Sequence, residues 1–305
     1  MPIVFGQGMR RSGTTILFDL IWGDGRFRCW YEPLNDLRVH RGGGSRARDI
    51  DYSQSGRELR AELAARSGGR LSPEDFAWGA PDHPERELEP GWPPHVRDYV
   101  RAMAESAPDV FVKFTRASHK AAELAAIRPD AWFVHLVRDP RAVATSHVLR
   151  NHPKHRDRIL ASGTFFQVTT DFDQWRAESM ARMLVAARPD LAEYADAPAY
   201  VRCLLLWREL YVRTRDDARR AFGDRYVVVW HDDLCDAPWE TLSALYAAWG
   251  GRPRLRQRLW AHRHVEPARA WHAPAAPEWD EALRRLALTP LIDEARAEAA
   301  RGAPA

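Results

Sequence analysis

Residues 2–23 read PIVFGQGMRRSGTTILFDLIWG. Pro2–Gly6 has the apolar, β-branched character of a short buried strand, and Ser12 or Gly13 opens an apolar helix ending near Gly23. Between them Gly8 and Gly13 stand at the spacing of G-x-x-x-x-G-K-[ST], with Thr15 at the Ser/Thr position. A strand, a glycine turn and a helix start, in that order, admit few folds. The strand must lie in a sheet covered by the helix, and the backbone N–H groups of the turn converge on an anion. Thr14 stands where lysine would be. The positive charge lies upstream, on Arg10 and Arg11, and Ser12, Thr14 and Thr15 add hydroxyls.

The rest of the chain repeats the strand–helix alternation. Strands are predicted at Arg26–Tyr31, Asp109–Phe114, Ala131–Val137 and Arg225–Trp230. Helices are expected over SHKAAELAAI after the third strand, from Asp139-Pro140 after the fourth, over roughly 199–222, and over PWETLSALYAAWG. Alternation of this kind implies a parallel sheet with helices on both faces. With no internal repeat and no clean linker, residues 1–305 read as one α/β domain with a P-loop-like sheet. Insertions are expected at about 40–108 and 150–198. Within them, 40–48 reads as a flexible loop, 66–95 as irregular, and 150–175 as a lid. Ligands of such sheets bind beyond the carboxyl ends of the strands. Glu32, Lys113, Arg138 and His231 all fall there.

Composition narrows the class. A net charge of +3 without a basic tail gives no reason to expect nucleic acid as a partner. Lysine occurs only at Lys113, Lys120 and Lys154, and the abundance of Arg and Ala is that of a GC-rich bacterial genome. Three cysteines with no C-x-x-C pair suit a reducing compartment. The apolar run Ile3–Phe5 passes at once into glycine and arginine, which is no signal-peptide pattern, and no apolar run is long enough to span a bilayer. A cytoplasmic location is therefore expected. His152 and His155 are separated by Pro153, so no metal site is expected.

RRSGTT after a strand, followed by HLVRDPRAVATSH, resembles the sulfotransferases that use 3′-phosphoadenosine 5′-phosphosulfate (PAPS). The segment VVVWHDDLCDAPWETLSALYAAWG is similar to a family stretch that usually reads Tyr-Glu-Asp-Leu before a helix. The resemblance implies the sulfotransferase fold, PAPS as co-substrate and no metal. It implies that Arg10, Arg11, Ser12, Gly13, Thr14 and Thr15 hold the 5′-phosphosulfate. Arg138 and Ser146, eight residues apart, would hold the 3′-phosphate. Lys113 matches a family lysine near the donor's bridging oxygen, and a lysine in an apolar strand is costly unless its charge is used. The cytosolic small-molecule branch places a histidine base two residues after that lysine, and Thr115 stands there instead. The protein-tyrosine and some bacterial carbohydrate branches carry a Glu at the end of the second strand. That makes Glu32 the expected base and His119 the alternative. Catalytic roles thus fall on Glu32, Lys113 and Arg11.

His264–Trp271 loosely resembles a segment that closes over the nucleotide, whereas the glycine-rich C-terminal stretch of the cytosolic branch is not visible. The acceptor is expected to be a small molecule, carbohydrate or peptide hydroxyl, and Phe165, Phe166, Trp271 and Trp279 are candidates to line its pocket. Two other readings stay open: an ATP-dependent kinase, disfavoured by Thr14 at the lysine position, and an inactive nucleotide-binding protein, disfavoured by Glu32 and Lys113.

Overall fold

The structure, a computed structural model, describes residues 2–35, 54–79, 83–149, 162–168, 177–271, 273 and 275–302. Its elements in chain order are β1 (Ile3–Gln7), α1 (Thr14–Trp22), β2 (Arg28–Tyr31), α2 (Gln54–Arg66), α3 (Glu85–Leu88), α4 (Pro94–Ala104), β3 (Val110–Phe114) and α5 (Ala121–Ile127). There follow β4 (Trp132–Val137), α6 (Pro140–Val148), α7 (Thr164–Gln167), α8 (Ala177–Ala187), α9 (Ala199–Phe222) and β5 (Tyr226–Trp230). The chain ends with α10 (His231–Asp236), α11 (Pro238–Ala248), α12 (Leu255–His264), α13 (Pro277–Arg285) and α14 (Thr289–Gly302). The five strands form one sheet in the order β2-β3-β1-β4-β5. Every pairing is parallel, with Gly6 level with both Lys113 and Val134, Tyr31 level with Lys113, and Val137 level with Trp230.

Both faces of the sheet are buried, which explains the continuous apolar runs of its strands. Successive side chains go to opposite faces. Val4, Phe111, Val134, Leu136 and Val229 pack with Leu17, Phe18, Leu20 and Ile21 of α1 and with Leu242 and Leu245 of α11. Ile3, Phe5, Val110, Val112, Phe114, Phe133 and Val228 face the larger core made by α4, α5, α6 and α9. Asp139 caps α6 through its side chain, accepting from Arg141 N, and Pro140 takes the first helical position. No helix among the described residues is long and apolar enough to cross a membrane.

Several expectations shift. The second strand starts at Arg28, since Arg26 folds back onto Asp24 through two hydrogen bonds of 2.6 Å around Gly25, whose φ is 69°. The helix after β3 starts at Ala121, so His119 precedes it. The 66–95 stretch is partly ordered: Pro73–Phe76 makes a 3-10 turn, and α3 lies within the stretch. Phe165, Phe166 and Trp279 do not line an open pocket as a set. With Tyr200 they form a buried aromatic cluster whose ring centroids lie 5.0–6.0 Å apart. The loop 40–48, most of the 150–175 stretch with His152 and His155, and the side chain of Trp271 lie outside the described residues.

Candidate active site

The turn after β1 is left-handed at two positions. Arg11 has φ 73° and Gly13 has φ 85°. Gly13 is required twice over: a Cβ there would lie 2.5 Å from Cδ2 of His231, the residue that follows β5. Gly8 lies equally close to the next strand, since a Cβ on it would sit 2.6 Å from the Leu136 carbonyl oxygen. The Ser12 N–H closes the turn on Met9 O at 3.1 Å. No described side chain caps α1, so its first N–H groups face the crevice beyond β1.

Arg138, just before α6, and the last turn of α6 are both stitched onto this turn. Arg138 Nη1 donates to the Arg11 carbonyl at 2.8 Å, Arg11 Nε donates to Ser146 Oγ at 2.8 Å, and His147 Nε2 meets the Arg10 carbonyl at 3.2 Å. Trp207 Nε1 anchors the Arg138 carbonyl from α9 at 3.0 Å. Two guanidiniums and a hydroxyl from distant parts of the sequence thus meet at one helix N-terminus. Such a cluster suits a ligand with more than one anionic group.

On the other side of β1, Glu32 follows β2 and Lys113 lies near the end of β3. The Glu32 N–H still bonds Lys113 O at 2.9 Å, then the chain turns with Glu32 at φ 44°. A glutamate in that region is strained by about 1–3 kcal/mol, and such strain gathers at functional positions. The turn aims the carboxylate back at Lys113, with which it forms a buried ion pair. Thr115 Oγ1 donates to the other carboxylate oxygen at 2.8 Å. Burial alone would raise the Glu32 pKa. Lys113 and Arg116, with the hydrogen bonds, outweigh it and hold the carboxyl below its usual range. The Lys113 ammonium also lies 4.3 Å from the Tyr31 ring centroid, and Tyr31 OH is 3.0 Å from Thr15 Oγ1. Glu32, Lys113, Tyr31 and Thr15 therefore form a chain from the expected base to the phosphate turn.

Arg10 is placed differently from its neighbours in the motif. Its guanidinium is buried against Glu87 and lies 3.7 Å from Met180 Sδ. His119 is also drawn elsewhere: Nδ1 contacts the Leu88 carbonyl at 2.7 Å, and burial lowers its pKa. Glu87, Arg116 and Asn35 escaped the sequence reading. Arg116 closes the run VKFTR at the end of β3, a signal available in the sequence. Glu87 sits in the insertion and had none.

Two cavities lie among the described residues near the site. One, of about 510 Å³, opens past β4 and β5 between Asp139, Arg141, Asp232, Trp279 and Arg296. The other, of about 430 Å³, lies in the insertion between Leu71, Trp78, Gly79, His83, Arg86 and His95. It is on the Glu32 side, since Trp78 N–H bonds the Leu34 carbonyl at 2.9 Å.

The chain is similar to several solved structures. Sulfotransferase STF9 from Mycobacterium avium has 13% identity over 93% of this chain and 75% of its own, with a TM-score of 0.46. Sulfotransferase STF1 from Mycobacterium tuberculosis H37Rv has 13% identity over 94% and 76%, with a TM-score of 0.45. The sulfotransferase domain from the curacin biosynthetic pathway has 14% identity over 94% and 98%, with a TM-score of 0.43. No curated protein matches the sequence. Residues 2–189, which carry β1 to β4, the phosphate turn, Glu32, Lys113, Arg138 and Ser146, match the sulfotransferase family as a whole. The chain belongs to the sulfotransferase family.

Proposed function

We propose that the protein transfers a sulfuryl group from PAPS to an acceptor hydroxyl and releases adenosine 3′,5′-bisphosphate. The observation that carries this reading is the joining of Arg138 and Ser146 to the phosphate turn through Arg11. A mononucleotide with phosphate only at the 5′ position uses the turn alone. A second anion-binding pair next to it suits a nucleotide with a second phosphate, on the 3′ oxygen.

The residues fit that donor. Gly13 lets the turn close left-handed with the His231 ring packed against it, and a turn of this shape at a helix start presents backbone N–H groups to a phosphate. When bound, the donor supplies an activated sulfur–oxygen bond to a 5′-phosphate leaving group. Arg11 and the N–H groups of α1 stabilise the charge that grows on that phosphate. Glu32, anionic in its pocket, accepts the acceptor's hydroxyl proton. The acceptor oxygen bonds to sulfur as the bond from sulfur to the phosphate oxygen breaks, and the electron pair stays with the released nucleotide. Lys113 serves two partners in this scheme. It pairs with Glu32 in the free protein and moves to the donor's bridging oxygen on binding, which leaves Glu32 free to take the proton. The acceptor, a small-molecule, carbohydrate or peptide hydroxyl, enters from the Glu32 side, where the cavity around Trp78 and His95 lies.

Release of adenosine 3′,5′-bisphosphate from PAPS, followed with a phenol, an oligosaccharide and a tyrosine peptide, tests the reaction. Faster release with at least one acceptor, and a sulfated product of matching mass, is expected. No release with any acceptor or with water would contradict the proposal.

A further inference from the structure

Glu87 lies outside the phosphate turn and outside the strand ends, yet it touches both halves of the site. Its Oε1 accepts from Arg10 in the turn and, at 3.0 Å, from Nη1 of Arg116 just beyond β3. Arg116 in turn donates through Nε to Asn35 Oδ1, three residues after Glu32. All four side chains are buried, with Glu87 and Arg116 each 2% exposed. A carboxylate and two guanidiniums out of water are costly unless each is held by the others.

The backbone around Glu87 is fixed with equal care. The carbonyl of Leu88 contacts His119 Nδ1 at 2.7 Å, and that of Arg86 accepts from Lys120 Nζ at 3.0 Å. Lys120 also donates to the Glu89 carbonyl. Opposite, Gly79 packs so close that a Cβ on it would lie 2.5 Å from Glu87 Cγ. Gly79 also lines the cavity on the Glu32 side. The short helix α3 is thus clamped so that one side chain reaches into the site.

We infer that Glu87 is a positioning residue for sulfuryl transfer: through one carboxylate oxygen it registers the phosphate turn, by way of Arg10, against the base Glu32, by way of Arg116. On this inference Arg10 is a strut and not a ligand of the donor. The inference rests on the proposed reaction and adds to it a role for the insertion, which ties the acceptor side to the donor side. The charged groups facing Glu32 are Lys113 and Arg116, with Arg10 behind Glu87, and Thr115 supplies a neutral hydroxyl.

The experiment uses PAPS with water as the acceptor, read as adenosine 3′,5′-bisphosphate formed, together with calorimetric binding of that product. The parent is measured first. If it does not bind the product, or forms none with water or with any of the acceptors above, the sulfuryl-transfer reading fails and this inference with it. If it does both, the variants decide on Glu87 alone. Glu87→Gln is expected to slow turnover on the order of tenfold to a hundredfold, the range for small misplacements, while product affinity stays within about threefold. Its acid limb is expected to move to lower pH, since one negative charge fewer opposes the cations that stabilise the Glu32 carboxylate. A merely structural role would leave that limb in place. Arg10→Met gives a second route should Glu87→Gln not fold. It is expected to lower turnover with product affinity nearly unchanged, and the double variant is expected to be no worse than the poorer single one. Unchanged turnover in a folded Glu87→Gln, or a loss of product affinity in Arg10→Met as large as that in Arg11→Ala, would overturn the inference.

Discussion

Thr115 donates its hydroxyl to Glu32 across the ends of β3 and β2, at 2.8 Å. Thr115 stands two residues after Lys113, so the strand that supplies the lysine also supports the carboxylate. Glu32→Gln should therefore cut turnover by on the order of a hundredfold or more, the range for a lost general base, with nucleotide affinity nearly intact. His119→Ala should lower turnover far less than Glu32→Gln, since the His119 ring is held against the Leu88 carbonyl and acts only on the backbone beside Glu87. Steady-state rates and calorimetry on both variants check this. Loss of nucleotide binding in Glu32→Gln would make Glu32 structural, and a loss of turnover on the order of a hundredfold in His119→Ala with Glu32→Gln still active would move the base to His119.

The same carboxylate links stability to pH. Lys113 and Arg116 hold the folded-state pKa of Glu32 below the ordinary glutamate value of 4.5, against the opposing effect of burial. The unfolded state then binds the proton more readily. The stability contributed by Glu32 is complete above the ordinary glutamate value and is lost as the pH falls below it, through the folded-state pKa. Urea unfolding at a series of pH values should show a smaller acid loss for Glu32→Gln than for the parent. That variant should also be less stable near neutral pH, because Lys113 is left buried without its carboxylate. Equal acid losses in the two proteins would contradict the linkage.

Gly13→Ala should be disabling for two separable reasons. The left-handed backbone costs a side chain about 1–2 kcal/mol, and the new Cβ meets the His231 ring. Adding His231→Ala should remove the clash but not the backbone cost. Chemical denaturation of the single and double variants should show partial recovery in the double. Full recovery, or none, would mean that only one of the two causes operates.

Arg11→Ala should weaken the binding of adenosine 3′,5′-bisphosphate by roughly 1.5–3 kcal/mol, the worth of a hydrogen bond to a charged group. The backbone cradle remains, so binding is reduced and not abolished. Titration calorimetry of the parent and variant measures the difference. Unchanged affinity would show that the turn holds its anion without this side chain.

Much of this arrangement was legible in the sequence because it is local. β1, β3, β4 and β5 are buried on both faces, so they stand out as continuous apolar runs. The turn between Gly8 and Gly13 and the Asp139-Pro140 cap carry their chemistry in consecutive residues. Strand order was not legible, because nothing local places β3 between β2 and β1. Nor was the partner of Arg10: Glu87 lies 77 residues away, in a stretch that reads as irregular, and only the tertiary fold brings the two together. Phe165, Phe166 and Trp279 illustrate a further limit. Three aromatic residues near an expected pocket look like its walls, whereas here they pack against Tyr200 and one another, and of the three Trp279 also borders a cavity.

The proposed donor is tested most directly by the affinities of adenosine 3′,5′-bisphosphate, AMP and ATP, each measured by calorimetry with and without magnesium. On the proposal, Arg138 and Ser146 would give the 3′-phosphate charge-assisted contacts worth roughly 1.5–3 kcal/mol or more, so the bisphosphate should bind at least about tenfold more tightly than AMP. Magnesium should not be required. Arg138→Ala should remove most of the preference, and Ser146→Ala part of it, with the affinity for AMP little changed. Equal affinities for the bisphosphate and AMP in the parent, or tight binding of ATP only with magnesium, would contradict PAPS as the donor and point to phosphoryl transfer.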